Sequence, residues 1–367
     1  MTRHFLDAEA RATFAQARID ALRTIGRVAT AEGAAFVVVA GDVFETSRVG
    51  PRTVRRALEA MGEMPVRVFL LPGNHDALDA ASVYRSPTFE HARPDNVTVL
   101  DSTVPFEAAP GVEVVGAPWP TKRPLTDLVG SACAALEPSG ATTRIVVGHG
   151  AVDELIDFES PAAIVLSSVE KALADGRVHY VALGDRHSTT QVGSTGRIWY
   201  AGTPEPTAHD EIDPGNVLLV DVDASTCHVT KVPVGSWRFV DERFELAGDV
   251  DLDALAAWLE GQPSKDRTVV RLSLRGSISL SQDARLQRLI DEAREVFGGF
   301  EDWDLSGNLI VRPDDDDFTD VVLTGFAQKA VDRLRVAATS DGPEARAARD
   351  ALSLLVRLAQ GQAAGVQ

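Results

Sequence analysis

The sequence is short of cysteine, of positive charge and of long apolar runs. Its 367 residues contain two cysteines, Cys133 and Cys227. They lie far apart and in no metal-type spacing, which argues against a zinc ribbon or a disulfide framework and suits a reducing compartment. No stretch of about 18 apolar residues occurs, so no membrane-spanning helix is expected. Met1-Thr2-Arg3-His4-Phe5-Leu6-Asp7 lacks the apolar core of a signal peptide. These absences together predict a cytoplasmic protein with no membrane partner. Lys and Arg number 36 against 54 Asp and Glu, a net charge of −18. That weighs against strong autonomous binding to nucleic acid, because phosphate contacts need Lys and Arg. It leaves open an acidic site that presents positive charge once loaded with divalent cations, or a basic partner that supplies the track.

What is present is an ordinary globular composition, 44% apolar and 25% charged, in a chain long enough for two cores. Ala15, Ile19, Leu22, Ile25 and Ala29 recur at helical spacing and predict a helix over 8–31, stopped by Gly33. A strand at 35–40, a helix opened by Pro51 and a strand at 66–71 follow, a β-α-β order that implies a parallel sheet flanked by helices. Later strand candidates lie at 97–100, 112–116, 144–147, 180–183, 198–201, 217–222 and 228–232. Short turns join several of them, which reads as a largely antiparallel second half in a mixed sheet or two stacked sheets. Beyond Val234 a β-α-β-α-β order over 238–311 suggests a small α/β cap. From Asp317 the chain is expected to be helical, with Ala348, Ala351, Leu352, Leu355 and Leu358 as an apolar stripe that docks on the body or, alternatively, enters a partner's groove. Asp314 to Asp317 read as a solvated turn.

Four of these strands end alike, in a glycine followed by a ligand-type residue: Gly41-Asp42, Gly73-Asn74-His75-Asp76, Gly148-His149 and Gly184-Asp185-Arg186-His187. Open α/β sheets hold ligands at the C-terminal ends of their strands. Hard oxygen donors mixed with imidazole suit a metal ion that activates water. On this reading Asp42 bridges two cations, Asn74 offers a carbonyl oxygen, His149 and His187 offer imidazoles, and Asp185 adds negative charge. His75 is placed to protonate a leaving oxygen or to steady charge on phosphorus.

The series GD-x-x-[D/E], GNHD, GH and G-x-x-H, each after a strand, resembles the calcineurin-like metallophosphoesterase superfamily. Overall layout and the cap resemble the nuclease-subunit branch typified by bacterial SbcCD. The resemblance implies a two-sheet sandwich flanked by helices over residues 1–234, an α/β cap over 235–315 and a helical tail over 316–367. It also implies two divalent ions, typically Mn2+, with Asp42 bridging, Asn74 and His149 on the second metal, His187 on the first, and His75 catalytic. Members of that branch cut DNA as exonucleases and endonucleases. They work as dimers joined to an ABC-type ATPase with long coiled coils.

Two departures stand out. The fourth motif reads G-D-x-H where the family has G-H-x-H, so Asp185 replaces an imidazole with a carboxylate. The family's opening strand ending in D-x-H has no match here, leaving Asp42 and His187 for the first metal, fewer than the roughly six ligands hard cations prefer. An upstream strand of about a dozen residues is the expectation; a scaffold that has lost its first metal site is the alternative. A phosphatase or small-molecule phosphodiesterase of the same superfamily is a third reading. Arg48, Arg52 and Arg186 are candidates for contacting substrate phosphates. Glu45 and Asp76 read as supports of the turns, and Trp119, between two prolines, as packing.

Overall fold

The computed structural model describes residues 6–302, 309–311, 326–338, 344–345, 347–348, 350–352 and 354–355. The acidic run Asp314 to Asp317 and the start of the expected tail lie outside them. The chain divides at Trp237 into two units: Ala12–Trp237, and the residues from Arg238 onward together with those up to Arg11.

The first unit begins with α1 (Ala8–Ala31), of which it takes the part from Ala12 onward, then β1 (Phe36–Val39), α2 (Pro51–Gly62), β2 (Arg67–Leu70), α3 (Pro87–Ala92) and β3 (Val97–Val99). The helix over 8–31 and the Pro51 start of α2 are as the periodicity predicts. There follow β4 (Phe106–Ala109), β5 (Val112–Gly116), α4 (Leu128–Ala135), β6 (Thr143–His149), α5 (Leu166–Ala174), β7 (Tyr180–Gly184), β8 (Thr190–Val192), β9 (Ile198–Tyr200), β10 (Asn216–Val222) and β11 (Cys227–Pro233). Strands β1, β2 and β3 form a parallel three-stranded sheet; β10 and β11 form a hairpin. The six-stranded sheet has the order β4-β5-β6-β7-β9-β8.

Strand periodicity sorts the apolar residues into layers. Val37 and Val39 of β1 and Val68 and Leu70 of β2 pack on one side with Ile19, Leu22, Val54, Leu58 and Met61 of α1 and α2. The alternate residues Phe36, Val38 and Phe69 face the other way. They meet Val114, Ile145, Val147 and Tyr180 of the six-stranded sheet, with Val220 and Val229 of the hairpin. The far face of the six-stranded sheet, Val115, Val146, Val181 and Leu183, is covered by Val129 and Cys133 of α4 and Val169 and Ala172 of α5. This is an α/β sandwich of two sheets flanked by helices, as expected.

The expectation of a largely antiparallel second half is corrected. β5, β6, β7 and β9 run parallel, and only β4, β8 and the hairpin β10-β11 pair antiparallel. The reason is α5, a nine-residue crossover between β6 and β7 that the sequence reading missed. A parallel neighbour needs such a crossover. Among the described residues, β1 pairs with β2 alone and β10 with β11 alone, so each keeps one open edge.

The second unit contains β12 (Arg238–Leu246), α6 (Asp249–Glu260), β13 (Thr268–Ile278), α7 (Leu280–Val296), β14 (Gly299–Asp302), β15 (Leu309–Val311) and α8 (Phe326–Ala338). Among the described residues its strands are all parallel, with β13 central. Ser279 caps α7: its Oγ accepts from Gln282 N at 3.3 Å while Gln282 Oε1 accepts from Ser279 N at 3.0 Å. Leu252, Leu255 and Leu259 of α6 pack with Leu286 and Ile290 of α7 over Val270 and Leu272. Ala348 and Leu352 of the apolar stripe are buried against Leu280, Ala284 and Val331, so the stripe docks within this unit. None of the helices, among the described residues, is long and apolar enough to cross a membrane.

Candidate metal centre

The turns that follow β1, β2, β6 and β7 converge on one imidazole. His149, the last residue of β6, has a side chain only 1% exposed. Its Nδ1–H donates to the Ala40 carbonyl at 2.8 Å, across from the end of β1. Nε2 then faces three oxygens: Asn74 Oδ1 at 3.0 Å, Asp42 Oδ2 at 3.4 Å and Asp185 Oδ1 at 3.7 Å. The ligand atoms of Asp42, His149 and Asp185 all lie within 4.8 Å of one another.

This geometry tests whether a cation fits. In its neutral form His149 spends its only N–H on Ala40, so Nε2 is a lone pair pointing at three other lone-pair donors. Such a cluster demands a positive charge at its centre, either a cation or a proton. Carboxylate, amide oxygen and imidazole are the donor types of a divalent transition metal. Without a metal the proton takes that place. Burial alone would lower the His149 pKa, but the Asp42 carboxylate, the Ala40 carbonyl and Asp185 outweigh it and hold the imidazole above its usual value. Burial would raise Asp42, yet His149 and the His75 N–H outweigh it and keep that carboxyl below the usual range.

The backbone is bent to bring these groups together. Asp42 has φ +52° and Asp185 φ +94°, two of four non-glycine residues with positive φ among those described. Left-handed backbone at a non-glycine residue stores strain, and such residues cluster at functional sites. Gly41, at φ +93°, packs against the His149 ring, and a Cβ at Gly184 would overlap the Ala40 carbonyl and stand 3.0 Å from His149 Nδ1. Gly41 and Gly184 are therefore a steric requirement of turns packed this closely on His149, while a Cβ at Gly148 would instead meet Val129 of α4.

Asp76 ties two of the turns together. It is fully buried and accepts from Gly73 N at 2.7 Å, Phe44 N at 3.1 Å and the Tyr84 hydroxyl at 2.7 Å. One carboxylate thus clamps the turn that carries Asn74 to the turn that carries Asp42. Burial raises its pKa despite those three donors. Trp119 does the same for a third turn. Its indole N–H donates to the His149 carbonyl at 2.7 Å, its backbone N–H to Pro72 O at 3.1 Å, and its carbonyl accepts from Leu78 N at 2.9 Å. At 9% exposure its ring is packed edge-on to His149 rather than open to a base.

Asp42, Asn74, His149 and Asp185 are thus gathered. His75 stands beside them: its backbone N–H donates to Asp42 Oδ1 at 2.9 Å and its exposed ring donates from Nδ1 to the Glu45 carbonyl at 2.9 Å, leaving Nε2 free. His187 stands outside the 4.8 Å group, its side chain 55% exposed. Its Nδ1 lies 2.8 Å from Glu211 Oε1 and 2.7 Å from Thr207 Oγ1. The Glu211 hydrogen bond raises its pKa against the opposing effect of burial. Arg186 donates from Nε to Thr190 Oγ1 at 2.9 Å; Arg48 and Arg52 are exposed, and no described hydrogen bond or ion pair joins any of the three to the cluster. Sequence reasoning missed Tyr84, Thr207 and Glu211. None follows a strand-glycine signature, and Glu211 lies far along the chain from the histidine it touches.

A layered α/β sandwich with oxygen and imidazole donors gathered at its strand ends presents a candidate metal centre. Residues 15–189 match the family model described as calcineurin-like phosphoesterase, and this region has the calcineurin-like metallophosphoesterase fold. The match takes in every gathered ligand and His187 but stops before Thr207 and Glu211. No curated protein matches the chain. Among solved structures, TT1561 of Thermus thermophilus is 12% identical, over 59% of this chain and 94% of its own, with a TM-score of 0.42. A second is 16% identical, over 59% of this chain and 95% of its own, with a TM-score of 0.39. At such low identities and TM-scores neither likeness bears on function.

Proposed function

We propose that this protein is a two-cation phosphodiesterase that cuts DNA, the nuclease subunit of an SbcCD-like repair complex. The observation that carries a metal-dependent hydrolase is the convergence of Asp42, Asn74, His149 and Asp185 on one point. The finer reading adds His187 as a further ligand, Mn2+ as the metal, and a dimer joined to a coiled-coil ABC-type ATPase. It rests on the motif order and on the α/β unit that follows the sandwich. A bound divalent ion would supply charge for the phosphate oxygens and lower the pKa of a water.

The chain's own residues do the rest. Asp42 and Asp185 bring the negative charge that attracts the cations. Asn74 adds a neutral oxygen, so affinity does not depend on a third carboxylate. His75 is turned by the Glu45 carbonyl so that Nε2 is its free nitrogen. From there it can donate a proton to a leaving oxygen or steady charge on a phosphoryl oxygen. Exposed Arg48, Arg52 and Arg186 provide positive charge for a phosphate backbone.

One observation favours a second reading, a phosphatase or small-molecule phosphodiesterase: a net charge of −18 repels a polyanion more than a small phosphoester. The test compares Mn2+-loaded protein on linear DNA, a bis-aryl phosphodiester and an aryl phosphomonoester. DNA cleavage, lost in His75→Ala with Mn2+ affinity kept, is the expected result. Turnover of the monoester alone selects the phosphatase. Mn2+ binding with no turnover of any substrate selects the scaffold.

A further inference from the structure

The first cluster binds its imidazole through strand ends, but His187 is held by a single loop. The loop runs from Thr203 to Asp213 and is laced to residues 187–189 at several points. Thr203 N donates to His187 O at 2.9 Å, Ile212 N to Ser188 Oγ at 2.8 Å, and the Thr189 hydroxyl shares its one proton between Asp213 O of the loop at 3.0 Å and Ala201 O at 2.9 Å. Asp213 itself sits at φ +55°, a strained turn that these bonds hold in place. At the centre is Glu211, whose side chain is only 5% exposed beside a His187 side chain that is 55% exposed.

A buried carboxylate must be satisfied. Glu211 Oε2 accepts from Thr207 N at 2.6 Å, and Oε1 accepts from the Thr207 hydroxyl and from His187 Nδ1 at 2.8 Å. Among the described residues, His187 is the one basic side chain paired with it. The loop therefore aims a fixed acceptor at one particular ring nitrogen. Metal-binding imidazoles characteristically donate their second N–H to such a carboxylate, which fixes the tautomer and the ring plane.

We infer that Glu211 is the positioning residue of His187: it holds the proton on Nδ1, so that Nε2 carries the lone pair offered to a cation. Thr207 supports it by donating two hydrogen bonds to the same carboxylate. The inference rests on the proposed reading of His187 as a ligand, and concerns a residue outside the family match. Glu211 touches no substrate atom; it acts through His187.

The test uses the full chain and four proteins: wild type, Glu211→Leu, Glu211→Gln and His187→Ala. Leucine keeps the buried volume, and glutamine keeps an acceptor oxygen. The first readout is the His187 tautomer in chelated, metal-free protein, from long-range 1H–15N spectra at alkaline pH. The second is Mn2+ affinity by calorimetry. Wild type is expected to carry its proton on Nδ1. Glu211→Leu should lose that preference and bind Mn2+ about 10–100-fold more weakly, and Glu211→Gln should restore the tautomer. A wild-type tautomer in Glu211→Leu overturns the inference. So does unchanged Mn2+ affinity in Glu211→Leu where His187→Ala weakens binding. If His187→Ala binds Mn2+ as wild type does, the ligand reading of His187 fails, and with it Glu211's role toward a cation, whatever the tautomer. Should Glu211→Leu fail to fold, Thr207→Val takes its place, with a weaker Nδ1 preference expected and an unchanged tautomer and affinity counting against the role.

Discussion

His149 and His187 stand at the ends of adjacent parallel strands, β6 and β7, and are held in opposite ways. His149 is sealed in: its ring is clasped by the Ala40 carbonyl, the Gly41 backbone and the Trp119 edge. His187 is open on one side and depends on the Thr207–Glu211 loop on the other. The buried half of the site is built from strand ends, whose positions are set by the packing of two sheets. The exposed half, on the proposed reading of His187 as a ligand, is built from a loop, whose position is set by side-chain hydrogen bonds. The two halves should therefore respond differently to damage.

The largest contrast comes from removing each imidazole. His149→Ala takes away the atom on which Asn74, Asp42 and Asp185 converge, and leaves two carboxylates facing each other with no imidazole to share a charge. Mn2+ affinity is expected to fall by more than the roughly 10–100-fold that loss of an orienting partner costs, and hydrolysis to vanish. His187→Ala should leave the buried cluster intact, with weaker but measurable Mn2+ binding. Calorimetric titration of both variants checks this. Equal losses would mean that the two halves form one inseparable site, and the contrast would break.

A smaller effect separates steric support from chemistry. Gly184→Ala puts a methyl into the Ala40 carbonyl, which must shift the end of β7 away from β1. Overpacking of this kind costs about 1–3 kcal/mol, and here it should also weaken Mn2+ binding because Asp185 moves with the strand. Gly196→Ala is the control: at φ +71° it is strained by roughly 1–2 kcal/mol, but nothing lies within 4 Å of the added carbon. Denaturation midpoints of the two variants are expected to be comparable, while only Gly184→Ala loses cation affinity. Equal affinities would show that the β1–β7 approach does not set the site.

The same division explains what could be read from the sequence. Strand-glycine-ligand turns put Asp42, Asn74, His149 and Asp185 on one edge before any coordinates, because a buried parallel strand announces itself by its apolar run and its abrupt end. The turns are legible for the reason they are rigid: the glycines that mark them are ones whose Cβ would strike a neighbouring ligand, turn or helix. Glu211 and Thr207 carry no such mark. Their meeting with His187 depends on a loop held by scattered hydrogen bonds, and no periodicity encodes that. Tyr84 was hidden similarly, in a single helical turn whose hydroxyl reaches Asp76. The parallel course of β5, β6, β7 and β9 was misjudged because α5 is short and its strands are joined by apparent turns.

The smallest effect is one of proton linkage; His187, raised by Glu211, adds to it in the same direction, and the buried half is where a single substitution isolates it. In metal-free protein His149 has a raised pKa, so its contribution to stability is complete below the unfolded value near 6.5 and is lost as pH rises through the higher folded value. Asp42 has a lowered pKa, so its contribution is present above the unfolded value of 3.8 and is lost as pH falls through the lower folded value. Together they stabilise the metal-free chain in the mildly acidic range and release it at alkaline pH, where the shared proton leaves and four lone-pair donors face one another. A cation reverses the trend, because it competes with that proton: Mn2+ should raise Tm more at alkaline than at mildly acidic pH. For a domain of this size each kcal/mol corresponds to about 2–4 °C, so thermal melts with and without Mn2+ across the range resolve the sign. His149→Gln, which has no proton to exchange, should flatten both profiles. If it leaves the metal-free profile as steep as in wild type, the titrating group lies elsewhere, and the sealed imidazole is not the proton's holder.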